Sequence, residues 1–205
     1  YCRDADKLFE AKKIAEAEAL LSEAIGAYTA DVGLQWRMAD VEFRKGQVAA
    51  AKQRLVRAGN GNPAGCDGAF FNAGVRLGRA AKDIAFAEGM VKAGLERFPL
   101  NPELRQHAGG LLADAGKHAA AVEQLEAAVN MDPTNAPALN ALGYSLEQIG
   151  ELDRADRVLR SALGRVTPEI GFNVLVNLGN VAQKRGALAQ DAVAAAAAKI
   201  TPSDP

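Results

Sequence analysis

Apolar and small residues along this chain recur three and four positions apart, in stretches broken by short segments carrying glycine or proline. That spacing lines one face of a helix. Leu139, Leu142, Gly143 and Leu146 form one such face, and Ala155, Leu159 and Ala162 form a second one just beyond Gly150. Two helices meeting at a glycine turn are therefore predicted for this stretch. The glycine at 143 is odd in isolation, because glycine inside a helix costs roughly 0.5–1 kcal/mol relative to alanine.

The second face is repeated along the chain. Ala17-Leu21-Ala24, Ala51-Leu55-Ala58, Ala87-Val91-Gly94, Ala121-Leu125-Ala128 and Ala155-Leu159-Ala162 begin 34, 36, 34 and 34 residues apart. Pro63, Pro99, Pro133, Pro168 and Pro202 keep the same beat, as do Gly46, Gly116, Gly150 and Gly186. A fixed period of this length marks stacked helical units.

The pattern resembles the tetratricopeptide repeat, a helix–turn–helix unit with small residues where its helices cross and proline near its end. Leu139-x2-Leu142-Gly143-x2-Leu146, Ala155-x3-Leu159 and Pro168 carry the match best. Ala108-Gly109-x2-Leu112 with Ala121-x3-Leu125 and Pro133 precedes it, and Leu175-x2-Leu178-Gly179-x2-Ala182 follows. The resemblance implies an all-α, right-handed superhelical α-solenoid of about six repeats in one array over 1–205. Its units fall near 1–31, 32–67, 68–101, 102–135, 136–171 and 172–205. Three positions depart from the pattern: Glu42 stands where a large apolar residue belongs, Lys82 where the turn glycine belongs, and Asp191 at a small-residue position beside Ala192.

Each spacing has a physical role. Glycine or alanine where helices A and B cross lets the backbones approach, and Gly143 is expected opposite Ala155; a large side chain there would overpack the contact. The turn glycine closes helix A in a left-handed cap, and proline ends helix B and opens the next helix A. Neither end carries a polar cap, so a longer parent chain, or packing of the ends against a second copy, is expected.

The resemblance also implies that certain helix-A positions face a concave groove for a protein or an extended peptide. Those positions hold Asp6 and Phe9; Trp36, Asp40, Phe43 and Arg44; Asn72, Arg76 and Arg79; Gln106, Gly110 and Asp114; Asn140, Tyr144, Glu147 and Gln148; Asn173, Asn180, Gln183 and Lys184, with Asn177 alongside. Arg76 and Arg79 with Asn72 suit a carboxylate or a peptide carbonyl, or form a solvated, internally paired face. Trp36 and Phe43 are either partner anchors or core packing. Asn140, Asn177 and Asn180 resemble an asparagine ladder that grips a peptide backbone, or are ordinary polar surface. The Lys-x3-Asn, Asn, Lys-x3-Arg succession of chaperone-tail-binding relatives is absent.

Composition narrows the function. Alanine supplies much of the 49% apolar content and aromatics only 5%, which favours helices. Charge is balanced at −1 without a basic cluster, which argues against nucleic acid, and no apolar run is long enough to insert in a membrane. Cys2 and Cys66 read as unpaired thiols. Cys66 lies in GNGNPAGCDG (59–68), expected to be a mobile loop that leaves the thiol accessible. His107 and His118 with two distant cysteines make no metal site, and no nucleophile elbow or phosphate loop appears, so neither cofactor nor catalysis is expected. Two functions from different classes remain: a scaffold that binds proteins or peptides, and a substrate-recruiting arm of a larger enzyme, such as a glycosyltransferase or other protein-modifying enzyme. Self-association through the array ends is a third expectation. A cytoplasmic and a periplasmic location are equally compatible with the sequence.

Overall fold

A computed structural model describes residues 1–163 and 168–197; at 168–170 and 191–197 it describes only the backbone. The described residues form α-helices, one short 3₁₀ turn at Pro63–Gly65 and no strand. The first helices of the successive pairs are α1 (Cys2–Glu10), α3 (Val32–Arg44), α5 (Gly68–Ala80), α7 (Pro102–Asp114) and α9 (Ala136–Gln148). Their partners are α2 (Ile14–Ala27), α4 (Val48–Gly61), α6 (Ile84–Arg97), α8 (His118–Met131) and α10 (Leu152–Leu163). A long last helix, α11, spans Pro168–Ala197. The chain divides into two compact units, Tyr1–His107 and the residues from Ala108 onward.

Short polar residues start α3, α5, α7 and α9. Asp31, Asp67, Asn101 and Asn135 accept from the amides of Leu34, Phe70, Leu104 and Ala138 at 2.9, 2.8, 2.9 and 2.9 Å. Each satisfies an amide that the first turn leaves unpaired, worth about 1 kcal/mol. Every helix A from α1 to α9 then ends in a left-handed residue: Lys12 (φ 58°), Gly46 (79°), Lys82 (56°), Gly116 (73°) and Gly150 (84°). The next amide bonds back five residues, as from Gln47 to Glu42 at 2.8 Å and from Glu151 to Leu146 at 2.9 Å, the geometry of a Schellman cap. Lysine thus occupies the glycine conformation at both Lys12 and Lys82.

The repeating triplets are the buried stripe of the B helices. Ala17, Leu21, Ala24, Ala121, Leu125, Ala128, Ala155, Leu159 and Ala162 are all fully buried. In the first unit, one apolar cluster joins Ala5, Leu21, Leu34 and Val41, and another joins Leu55, Phe70, Phe71 and Leu104. In the second unit one cluster runs from Ala121 to Val181. Helix crossings are close at Gly143 and Gly109. A Cβ on Gly143 would lie 2.4 Å from Leu159 Cγ, and one on Gly109 the same distance from Leu125 Cγ. The residue facing Gly143 is therefore Leu159, one turn beyond the expected Ala155, because the side chain of a helix covers the turn before its own Cα.

Four further expectations change. Glu42 is accommodated as an ion, held by Arg54 Nη2 at 2.7 Å and Nε at 3.0 Å while Arg54 Nη1 donates to Gln35 at 2.8 Å. This polar group walls a cleft of about 440 Å³ with Arg57 and Asn62. The 59–68 stretch is tied down: α4 runs through Gly61, the Asn62 side chain accepts from the Gly65 amide at 3.1 Å, and Arg97 donates to the carbonyls of Pro63 and Ala64. Cys66 is consequently buried, 4% exposed and packed with Phe70 and Leu55, and burial raises its thiol pKa. Cys2 and Cys66 are both free thiols. Finally, Gly186 does not end a helix: α11 runs through it, continued by the alanine-rich sequence that follows. Pro202 and the side chains of Asp191 and Ala192 lie outside the described residues.

Candidate functional site

Within the first unit the expected groove residues converge on α3, α5 and the first turns of α7. Trp36 and Phe43, seven residues apart on α3, are half-buried against the core containing Phe70 and Leu77. They share a shallow cleft with Asp40, Ala73 and Arg76. The Arg37 guanidinium stacks over the Trp36 ring at 4.2 Å, while Trp36 Nε1 is buried without a partner. Asp40 accepts from Arg44 at 2.7 Å and sits 3.6 Å from Arg76. Arg76 remains 53% exposed, so this ion pair leaves about half of the side chain facing solvent.

Asn72, one turn before Arg76, is buried and donates through Nδ2 to Glu103 on α7. Its Oδ1 is buried with no donor. His107, one turn beyond Glu103, also has an unpartnered buried Nδ1. Its pKa is lowered to about 4, first by burial and then by the positive charges of Arg79 and Arg76, so its imidazole is neutral near pH 7. Gln106 lies half-buried on the same helix. Near Arg76 the site thus combines guanidinium donors with an acceptor, Asn72 Oδ1, and a ring nitrogen, His107 Nδ1, that have no hydrogen-bond partner among the described residues. Glu103 was not among the expected groove residues, and His107 was weighed only as a metal ligand. Their only sequence signal is position: Asn72 and Glu103 are 31 residues apart and meet only through folding.

The second unit brings α9 and α11 together. Asn177 Nδ2 donates to Asn140 Oδ1 at 3.0 Å, so two of the expected ladder amides bond each other. Asn180 is half-buried one turn further along α11. Tyr144 is 37% exposed and its ring meets the His118 ring edge-on at 5.6 Å. Glu147 is 2% exposed, pairs with Lys184 and accepts from Gln148 at 2.7 Å. No group of three or more His, Cys, Asp or Glu among the described residues is placed to hold a metal. No described helix is long and apolar enough to cross a membrane.

Paired helices, recurring left-handed turns and glycine crossings define a helical-repeat protein. Residues 112–167 match the tetratricopeptide repeat family model. Solved structures agree on the fold. YrrB, "a TPR protein with an unusual peptide-binding site", superposes with a TM-score of 0.61 at 19% identity, over 85% of this chain and 88% of that one. A MamA protein gives 0.62 at 15% identity, over 78% and 87%. The APC/C hetero-tetramer Cut9–Hcn1 gives 0.74 at 14% identity, over 90% of this chain and 36% of that one. No curated protein matches the chain. Residues 112–167 thus match the tetratricopeptide repeat that the sequence pattern resembles, and the described residues share the all-α fold of a solved tetratricopeptide-repeat structure.

Proposed function

We propose that the chain is a protein-interaction scaffold and that the face of α3, α5 and α7 in its first unit binds an extended peptide segment. The observation that carries this reading is the pairing of opposite needs on one face. The exposed Arg76 guanidinium offers donors, while Asn72 Oδ1 behind it is a buried acceptor without a donor. An unsatisfied buried acceptor costs roughly 1–3 kcal/mol; the Asn72 side chain would turn outward to take a peptide amide N–H as its missing donor. A carboxylate or carbonyl from the same peptide pairs with Arg76. The half-buried rings of Trp36 and Phe43 give an apolar seat next to it. The peptide-binding site named for YrrB and the assembly named for Cut9–Hcn1 support an interaction role for this fold.

The test is a fluorescence titration against short labelled peptides, acidic and neutral. Acidic peptides are expected to bind, with affinity falling as salt is raised. Arg76→Glu with Arg79→Glu is expected to weaken binding at least tenfold with helical content unchanged. Undiminished affinity in that double variant would overturn the assignment of the site.

A further inference from the structure

The last helix, α11, carries two faces of opposite character. Val174 and Val181 are fully buried in the cluster shared with α9 and α10, and Asn177 bonds Asn140. Lys184 pairs with Glu147, and Arg185 with Asp153 and Asp156. These residues recur at helical spacing and seat α11 against α9 and α10. The other side is bare. Phe172, Leu175 and Val176 are 68%, 59% and 44% exposed. Gly179, Ala182, Gln183 and Gly186 continue the same stripe and are exposed as well. A Cβ on either glycine would meet nothing within 4 Å.

Charge, shape and glycine placement point to one occupant for this face. Between positions 171 and 190 the charged residues are Lys184 and Arg185, and acids of α9 and α10 engage both. The bare stripe is therefore uncharged. A twofold axis sets a surface against itself, where a charge of either sign would meet its like; nothing of that kind opposes pairing here. The stripe is also graded in size. Its first half holds the large Phe172, Leu175 and Val176, and its second half the small Gly179, Ala182 and Gly186. An antiparallel copy lays the large half of each helix on the small half of the other. Parallel pairing would set Phe172 on Phe172 and leave a void at Gly186, against the close packing of protein interiors. Finally, glycine in a helix interior costs about 0.5–1 kcal/mol relative to alanine. Gly179 and Gly186 meet no close contact within the chain that would offset this, and the approach of a second helix supplies one. Phe172, Gly179 and Gly186 recur every seven residues, the spacing of a seam between helices packed at a shallow angle.

We propose that this face of α11 is a homodimer interface, in which two copies of the chain pair antiparallel and cross near Gly179. The surface is separate from the peptide site of the first unit, and either assignment can fail without the other.

Sedimentation equilibrium over a concentration series tests the association, and a monomer–dimer equilibrium is expected. Leu175→Glu alters a side chain that is exposed in the single chain. It should raise the dimer dissociation constant at least tenfold with helical content unchanged. The same change at Leu100, 76% exposed in the first unit, should leave that constant as it is. Orientation is read from one spin label at Gln190→Cys, in the chain with Cys2→Ser and Cys66→Ala, which reports only distances between copies. Position 190 lies 11 residues beyond Gly179, so antiparallel pairing separates the two labelled sites by about 33 Å. Parallel pairing brings them to about 8–10 Å, the spacing of packed helix axes. A strict monomer across the series overturns the proposal. So does a dimer that survives Leu175→Glu, one that Leu100→Glu weakens equally, or a label distance near that of the parallel pair.

Discussion

At the level of single residues, the crossings and turns make different demands on glycine. Gly143 is constrained by space: its Cβ would fall 2.4 Å from the fully buried Leu159. Gly143→Ala should therefore destabilise by about 1–3 kcal/mol through overpacking, read as a fall of about 2–4 °C in Tm per kcal/mol. Lys82 is constrained by conformation instead, with φ at 56°. Lys82→Gly should raise stability by about 1 kcal/mol, because the left-handed region costs a residue with a Cβ roughly that much; an unchanged urea midpoint would contradict this. His107 makes stability depend on pH. Between its ordinary value of 6.5 and its folded value of about 4, the unfolded chain binds a proton that the folded chain does not. Its contribution is complete above pH 6.5 and is lost as pH falls through that window, by about 2–3 kcal/mol. His107→Gln should flatten the stability difference between pH 7 and pH 4.5 measured by urea unfolding.

At the level of elements, α11 is held to α9 by a charge that burial makes demanding. Glu147 is 2% exposed, and Lys184 is its cationic partner, also donating to the Glu147 carbonyl at 3.5 Å. Lys184→Met leaves the carboxylate with only the Gln148 amide, and should cost about 1.5–3 kcal/mol. Adding Glu147→Gln should recover most of that loss, and a double variant as unstable as the single one would show that the pair is not the cause. The A and B helices were legible in the sequence because their stripes repeat and because glycine marks the turns at 46, 116 and 150. Lys12 and Lys82 gave no such signal, since their side chains do not advertise a left-handed backbone; the repeat spacing alone locates them. The reversal expected at Gly186 is absent because an alanine-rich continuation is an excellent helix and nothing occupies the turn's far side. The site was legible in part. Arg76 and Asn72 follow from helix register, but the Glu103 that holds the Asn72 amide, and the place of the half-buried His107 beside it, emerge only when α5 and α7 are brought together.

At the scale of the whole molecule, the buried apolar side chains of the described residues fall into three clusters. One cluster centres on Leu21 and Val41, a second on Leu55 and Phe71, and a third on Leu125, Leu146 and Leu159 in the second unit. Each is built from adjacent repeats, so stability is close to a sum of local terms and nearest-neighbour interfaces. A defect at one crossing should then be felt near that crossing. Native-state hydrogen exchange on Gly143→Ala tests this, because it reports local opening free energies separately for each helix. Protection is expected to fall in α8, α9 and α10, whose Leu125, Leu146 and Leu159 share the affected cluster. The amides of α2 to α6, whose side chains belong to the other two clusters, should keep their protection. A uniform loss along the chain would instead mean that it opens as one cooperative block, and that the three clusters are energetically a single core.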